Sequence, residues 1–106
     1  MKLQSEPFYK IVERKKTIEM RLFDEKRQKI NVNDQILFNF NEESVLTKVI
    51  DLHVFKSFKE LYDYYDYKEL GYDKNDKISY KDMEKYYTLD DIEKYGVIAI
   101  KIKVEK

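Results

Sequence analysis

The sequence predicts an α+β fold, a small curled sheet or barrel with helices around it. Three observations predict it. Thr17 to Phe23 alternates apolar and polar side chains, the period-two pattern of a strand with two unlike faces. Val97 to Val104 opens with apolar residues on both faces, as a central strand does. The other periodic segments are short, and 106 residues fit one domain, residues 1–106, with one core.

Taken in order, Ser5-Glu6-Pro7 is a helix start, since proline is tolerated in a first turn. Phe8, Ile11, Val12 and Lys15 follow at helical spacing, which predicts a helix over about Glu6 to Arg14. In the strand that follows, Ile18, Met20 and Leu22 point one way and Thr17, Glu19, Arg21 and Phe23 the other. Asn31 to Asp34 has turn chemistry, Gln35 to Phe40 reads as a second strand, Asn41 to Ser44 turns the chain, and Val45 to Lys56 reads as a long third strand. Ser57-Phe58-Lys59-Glu60 is a capping box for a helix whose face is Phe58, Leu61, Tyr62 and Tyr65. Asp66 to Lys77, with Gly71, reads as a loop or short irregular helix. Ser79 caps a helix with Met83, Tyr86 and Tyr87 on one side. Thr88 caps another, with Leu89 and Ile92 buried and Gly96 ending it. No strand except the last approaches a glycine, so the sheet's curvature has to come from bulges that the pattern does not locate.

Composition narrows the function classes. Apolar residues make up 42% and charged residues 40%, with no low-complexity run, the mark of a folded and very soluble chain. There is no cysteine, which excludes disulfides and thiolate chemistry. No apolar run has membrane length and no signal peptide opens the chain, so the expected location is the cytoplasm of a bacterial-type cell. Formal net charge is zero but uneven. Met1 to Lys29 carries nine basic and five acidic residues, a net of +4, and Glu60 to Tyr95 carries six basic and eleven acidic, a net of −5. The plain reading is that these segments neutralise each other in the fold.

A set of motifs then points to a family. Pro7-Phe8, Lys16-Thr17-Ile18-Glu19-Met20-Arg21-Leu22, Lys26-Arg27, Ile30, Asp34-Gln35-Ile36-Leu37-Phe38, Ser57-Phe58-Lys59-Glu60-Leu61, Tyr86-Tyr87 and Tyr95-Gly96-Val97-Ile98-Ala99-Ile100 resemble the ASCH domain family, from about Leu3 to Val104. That family shares the pseudouridine-synthase-and-archaeosine-transglycosylase (PUA-like) barrel, so the resemblance implies about five to six strands with helices around them, and a small single-domain protein of bacterial type. The family signature Gly-x-Lys-x-x-Glu-x-Arg is matched by Lys16, Glu19 and Arg21, while Arg14 stands where glycine is usual. That departure suggests a differently built turn between helix and strand. The resemblance also implies RNA or nucleotide-like ligands in a cleft lined by the signature strand. Some family members are ribonucleases and others hydrolyse the amide of acetylated cytidine.

The candidate ligand-binding residues are Lys15, Lys16, Thr17, Glu19, Arg21 and Ser57, with Lys16 and Glu19 as the catalytic pair if the chain is an enzyme. Arginine offers a planar fork for phosphate or a base edge, lysine a point charge, and Glu19 either holds Arg21 or accepts from a base amino group. A lysine crowded by Arg14, Lys15 and Arg21 loses its proton more easily, while Glu19 opposes this by stabilising the ammonium, so the balance depends on which lies closer. The plainer reading of Glu19 and Arg21 is a weak surface ion pair. The acetyl-cytidine hydrolases resemble this chain at Lys16 but place a threonine nucleophile where Glu19 stands, so that activity is not expected here. Asp73 to Glu84 has Lys77 and Ile78 where a calcium loop needs a ligand and a glycine, which excludes calcium, and no metal or cofactor is expected. His53, the sole histidine, reads as structural.

Eight of the ten tyrosines fall between Tyr62 and Tyr87. Tyr62, Tyr65, Tyr86 and Tyr87 read as packing residues, while Tyr64, Tyr67 and Tyr72 are freer but sit beside Asp63, Asp66 and Asp73. The expected partner is a short single-stranded RNA or a nucleotide-like small molecule, not a membrane, because zero net charge argues against tight non-specific binding of long nucleic acid. The alternatives are a ribonuclease or nucleoside amidohydrolase at the same cleft, and a protein-interaction module using the acidic, tyrosine-rich flank.

Overall fold

The computed structural model of the protein describes residues 1–105. Its elements run α1 (Ser5–Val12), β1 (Ile18–Leu22), a short 3-10 turn (Arg27–Lys29), β2 (Gln35–Phe40), β3 (Glu43–Phe55), α2 (Phe58–Tyr64), a 3-10 helix (Tyr80–Lys85), α3 (Leu89–Tyr95) and β4 (Val97–Val104). The strands form one antiparallel sheet in the order β1-β4-β3-β2, curled into a half-barrel.

The sheet has four strands where the family resemblance implied five to six. The first three residues take part of the missing place. Asn39 bonds Met1 and Leu3 across a single parallel bridge at Lys2, and Arg21 Nη2 reaches the Lys2 carbonyl at 3.3 Å. A side chain therefore spans the gap between the sheet's two edges where a ladder was expected.

β4 is central and divides the core. Ile98, Ile100 and Ile102 face Phe8 and Ile11 of α1 with Phe38, Val45 and Val49. Val97 and Ala99 face Ile18, Met20 and Leu22 together with Phe58, Leu61, Leu70 and Ile92. Ile98 and Ile100 are buried, as a two-sided apolar strand requires, and each such side chain contributes about 1.5–3 kcal/mol on leaving water.

The curvature has a visible source. The β3–β4 register shifts between Val49 and Asp51, a bulge at Ile50. β2 pairs with β3 only as far as Gln35 opposite Lys48. From Asp51 to Phe55, β3 has β4 on one side and, among the described residues, no strand on the other.

Three expectations change. Leu89 is 67% exposed because the first residue of the short α3 faces solvent, and Ile92 alone anchors that helix. Tyr86 is 60% exposed because the segment capped by Ser79 is a 3-10 helix ending at Lys85, which places Tyr86 beyond the packed face. Arg14 did not change the turn. It adopts φ +62°, with Arg14 N–H bonded to Ile11 and Lys15 N–H to Lys10, the Schellman pattern that glycine normally closes. No described helix is long and apolar enough to cross a membrane.

Candidate functional site

The Schellman turn delivers Lys16 to the edge of β1, and the strand places Glu19 and Arg21 on the face toward α1. Both faces of this edge strand are covered, so the polar face is not solvated. Lys16 and Glu19 are 6% and 5% exposed. Lys16 Nζ donates to the Leu70 carbonyl at 2.9 Å and lies 3.8 Å from Glu19 Oε1. That same oxygen accepts the Met20 N–H at 3.2 Å. Glu19 Oε2 accepts Arg21 Nε at 3.2 Å and Nη2 at 2.9 Å. The signature residues thus form one chain of charge, with Glu19 in the middle.

Burial, above all, pushes the Lys16 ammonium below its ordinary pKa; Glu19 opposes the shift, and Arg21 and Lys10 add to it. Crowding by Arg14 and Lys15 is not the cause. Lys15 is largely exposed and pairs with Glu13 at 3.8 Å. Burial also works against the Arg21 charge, but Glu19 and then Tyr87 outweigh it and hold Arg21 above its usual value.

Lys16 and Met20 form one wall of a cavity of about 350 Å³. Lys10 and Glu6 of α1 form a second wall, and Tyr62, Leu70 to Tyr72, Asp82, Met83 and Tyr86 complete it. Gly71 fits tightly over Lys16. Its φ is +98°, and a Cβ there would meet Lys16 Cδ at 3.1 Å. Lys10 Nζ donates to the Gly71 carbonyl at 2.5 Å and pairs with Glu6 at 3.2 Å. The Tyr72 hydroxyl lies 2.8 Å from Asp82 Oδ2 and 2.7 Å from the Tyr62 hydroxyl. Tyr72 keeps its proton and donates to the carboxylate, and either hydroxyl can be the donor between Tyr62 and Tyr72. Burial raises Tyr62 to about 12 and Tyr72 further, with the bonds from Tyr62 and Asp82 adding to the latter.

Of the residues expected at the site, Lys16, Glu19 and Arg21 come together. Thr17 adjoins them, its Oγ1 buried without a hydrogen-bond partner, while its N–H bonds the Glu69 carbonyl. Of the six, Lys16 alone lines the cavity; Lys15, Thr17, Glu19, Arg21 and Ser57 do not. The Ser57 Oγ caps α2 by accepting the Glu60 N–H at 3.2 Å. Sequence reasoning missed Lys10, Asp82 and the bonded state of Tyr72. The one local cue was Gly71, a residue that permits close backbone approach.

Comparison with known proteins gives the following. The sequence model of the ASCH domain matches residues 1–106. The crystal structure of the hypothetical protein PH0355 superposes with a TM-score of 0.85 at 32% identity, over 99% of this chain and 96% of that one. The solution structure of protein PF0455 from Pyrococcus furiosus gives 0.74 at 28% identity, over 100% and 99%. No curated protein matches.

Proposed function

We propose a function from the premise that this chain belongs to the ASCH domain family: it binds short single-stranded RNA or a nucleotide-like small molecule in the cavity beside β1, within a half-barrel of PUA-like type. The observation that carries this reading is the buried Lys16–Glu19–Arg21 chain ending at the cavity wall. An ordinary surface ion pair would be exposed. Burying the charges of Lys16 and Glu19, with Arg21 partly buried beside them, is weakly stabilising at best, so stability alone is a poor reason to place them there. The cavity has the volume of a small-ligand site. Tyr86, exposed at its mouth, offers a ring on which a base can stack.

A second reading is favoured by the lowered pKa of Lys16. A neutral lysine takes a proton from water or a ribose hydroxyl, and Lys10, on the cavity wall, steadies charge developing on phosphate. On this reading phosphodiester cleavage is the candidate reaction. Glu19 lacks the hydroxyl that acetyl-cytidine hydrolysis needs from that position.

The test is titration of labelled short RNA against wild type and Tyr86→Ala, a substitution at an exposed site. Affinity of order micromolar or weaker is expected, falling with salt. Loss of a stacked base weakens binding by about tenfold. Equal affinity of the two proteins would remove the cavity from the binding site. Incubation of short RNA with wild type, with and without divalent metal, separates binding from cleavage.

A further inference from the structure

The C-terminal half of β3 presents a strand edge that the fold leaves open. Val49 is the last β3 residue bonded on the β2 side, through the Asp34 carbonyl and the Asn33 N–H, each at 2.8 Å. The bulge at Ile50 then inverts which backbone groups face outward. Leu52 confirms the inversion, because its N–H turns to its neighbour's carboxylate, Asp51 Oδ1, at 2.9 Å rather than to β4. By alternation, Leu52 and Val54 both direct N–H and C=O to the open side.

We propose that this edge pairs antiparallel with the same edge of a second copy of the chain, about a two-fold axis at His53. The register follows from the available groups. Placing Leu52 opposite the partner's Val54, twice, uses both outward residues of each copy and forms four backbone hydrogen bonds. Shifting two residues one way runs the partner into Asn33 and Asp34, which already bond Val49. Shifting the other way sets Leu52 against Lys56, whose N–H is already held by Glu60 at 3.3 Å. The open stretch, Asp51 to Phe55, has ordinary strand length.

The surroundings suit a copy of this chain. Ile50, Val54 and Val32 are 43%, 46% and 47% exposed beside the edge. Pairing brings Leu52 and Val54 of the two copies together on one face. The chain's zero formal charge means that two copies do not repel as wholes. Asp51 is the gate. Its carboxylate has to release the Leu52 N–H before a partner carbonyl can take it.

The chain has no cysteine, which allows a direct test. In the proposed register His53 faces its own copy at a non-hydrogen-bonded position, where Cα atoms lie about 4.5 Å apart, within disulfide reach. Ile50 lies roughly 20 Å from its copy. Under mild oxidation His53→Cys should cross-link at least about tenfold faster than Ile50→Cys. Sedimentation across a concentration series should show a wild-type dimer, weakened about tenfold or more by Val54→Lys and tightened by Asp51→Ala. Both residues pair with β4 through the backbone, which these side-chain changes leave in place, and circular dichroism checks the fold. Wild type and Asp51→Ala that both stay monomeric throughout would overturn the proposal. So would His53→Cys cross-linking no faster than Ile50→Cys, the result expected if the edge serves a foreign strand or none.

Discussion

Arg21 meets Glu19, two residues before it on the same strand, through two nitrogens on a single carboxylate oxygen, at 2.9 and 3.2 Å. The other oxygen of Glu19 turns to Lys16 and to the Met20 N–H. One carboxylate therefore faces two cations, the buried Lys16 and the partly buried Arg21, and accepts the N–H of its own strand neighbour.

Glu19→Ala should accordingly be the most damaging change at the site. It strands Lys16 and Arg21 in a buried place, a loss of about 3–5 kcal/mol. Denaturant unfolding measures it. A loss below about 1 kcal/mol would return the cluster to the class of surface pairs.

Gly71→Ala should also destabilise, for a reason separate from charge. The backbone there sits at φ +98°, and the added Cβ presses on the Lys16 stem at 3.1 Å. A loss of about 1–3 kcal/mol is expected, with the Lys16–Leu70 contact loosened. Thermal unfolding at the level of wild type would show that the loop simply moves aside.

Arg14→Gly should stabilise. The left-handed conformation at φ +62° costs a non-glycine residue about 1 kcal/mol. Relief of part of that raises Tm by several degrees, since about 4–8 °C accompanies each 1 kcal/mol in a domain of this size. Scanning calorimetry on the two proteins decides it, and an unchanged or lowered Tm would contradict the reading of this turn.

At alkaline pH, opposed effects are expected. Tyr62 ionises near 12 folded, against 10.0 ordinarily, and Tyr72 is raised further. The unfolded chain gives up these protons first, so the stability they contribute is present below pH 10 and lost as pH rises toward 12. Lys16 works the other way. Its folded pKa lies below 10.5, so the unfolded chain binds the proton first, and stability falls as pH drops from 10.5 to the folded value. Ultraviolet difference absorbance should show Tyr62 and Tyr72 ionising last, together with unfolding. One transition near pH 10 for all tyrosines would refute it.

Much of this was legible in the chain. Alternation located β1, and two-sided apolarity located the central β4. What alternation cannot report is what covers a polar face. Glu19 is buried by elements distant in sequence, and Lys16 by Leu70, 54 residues away. Tyr72 looked free beside acidic chain neighbours, yet its hydroxyl donates to an acid from the next segment, Asp82, and keeps its proton. Arg14 misled in the other direction. The missing glycine suggested a different turn, but the backbone kept the glycine conformation.

The central claim is that ligand enters the cavity walled by Lys16 and Met20. Backbone amide shifts of isotope-labelled protein, followed through titration with short single-stranded RNA and then a mononucleotide, test it most directly. Shifts concentrated at Lys16, Met20, Leu70 to Tyr72, Asp82 and Tyr86 are expected. Shifts confined instead to the groove between Val54–Lys56 and Glu93–Gly96, or absent at saturating ligand, would contradict it.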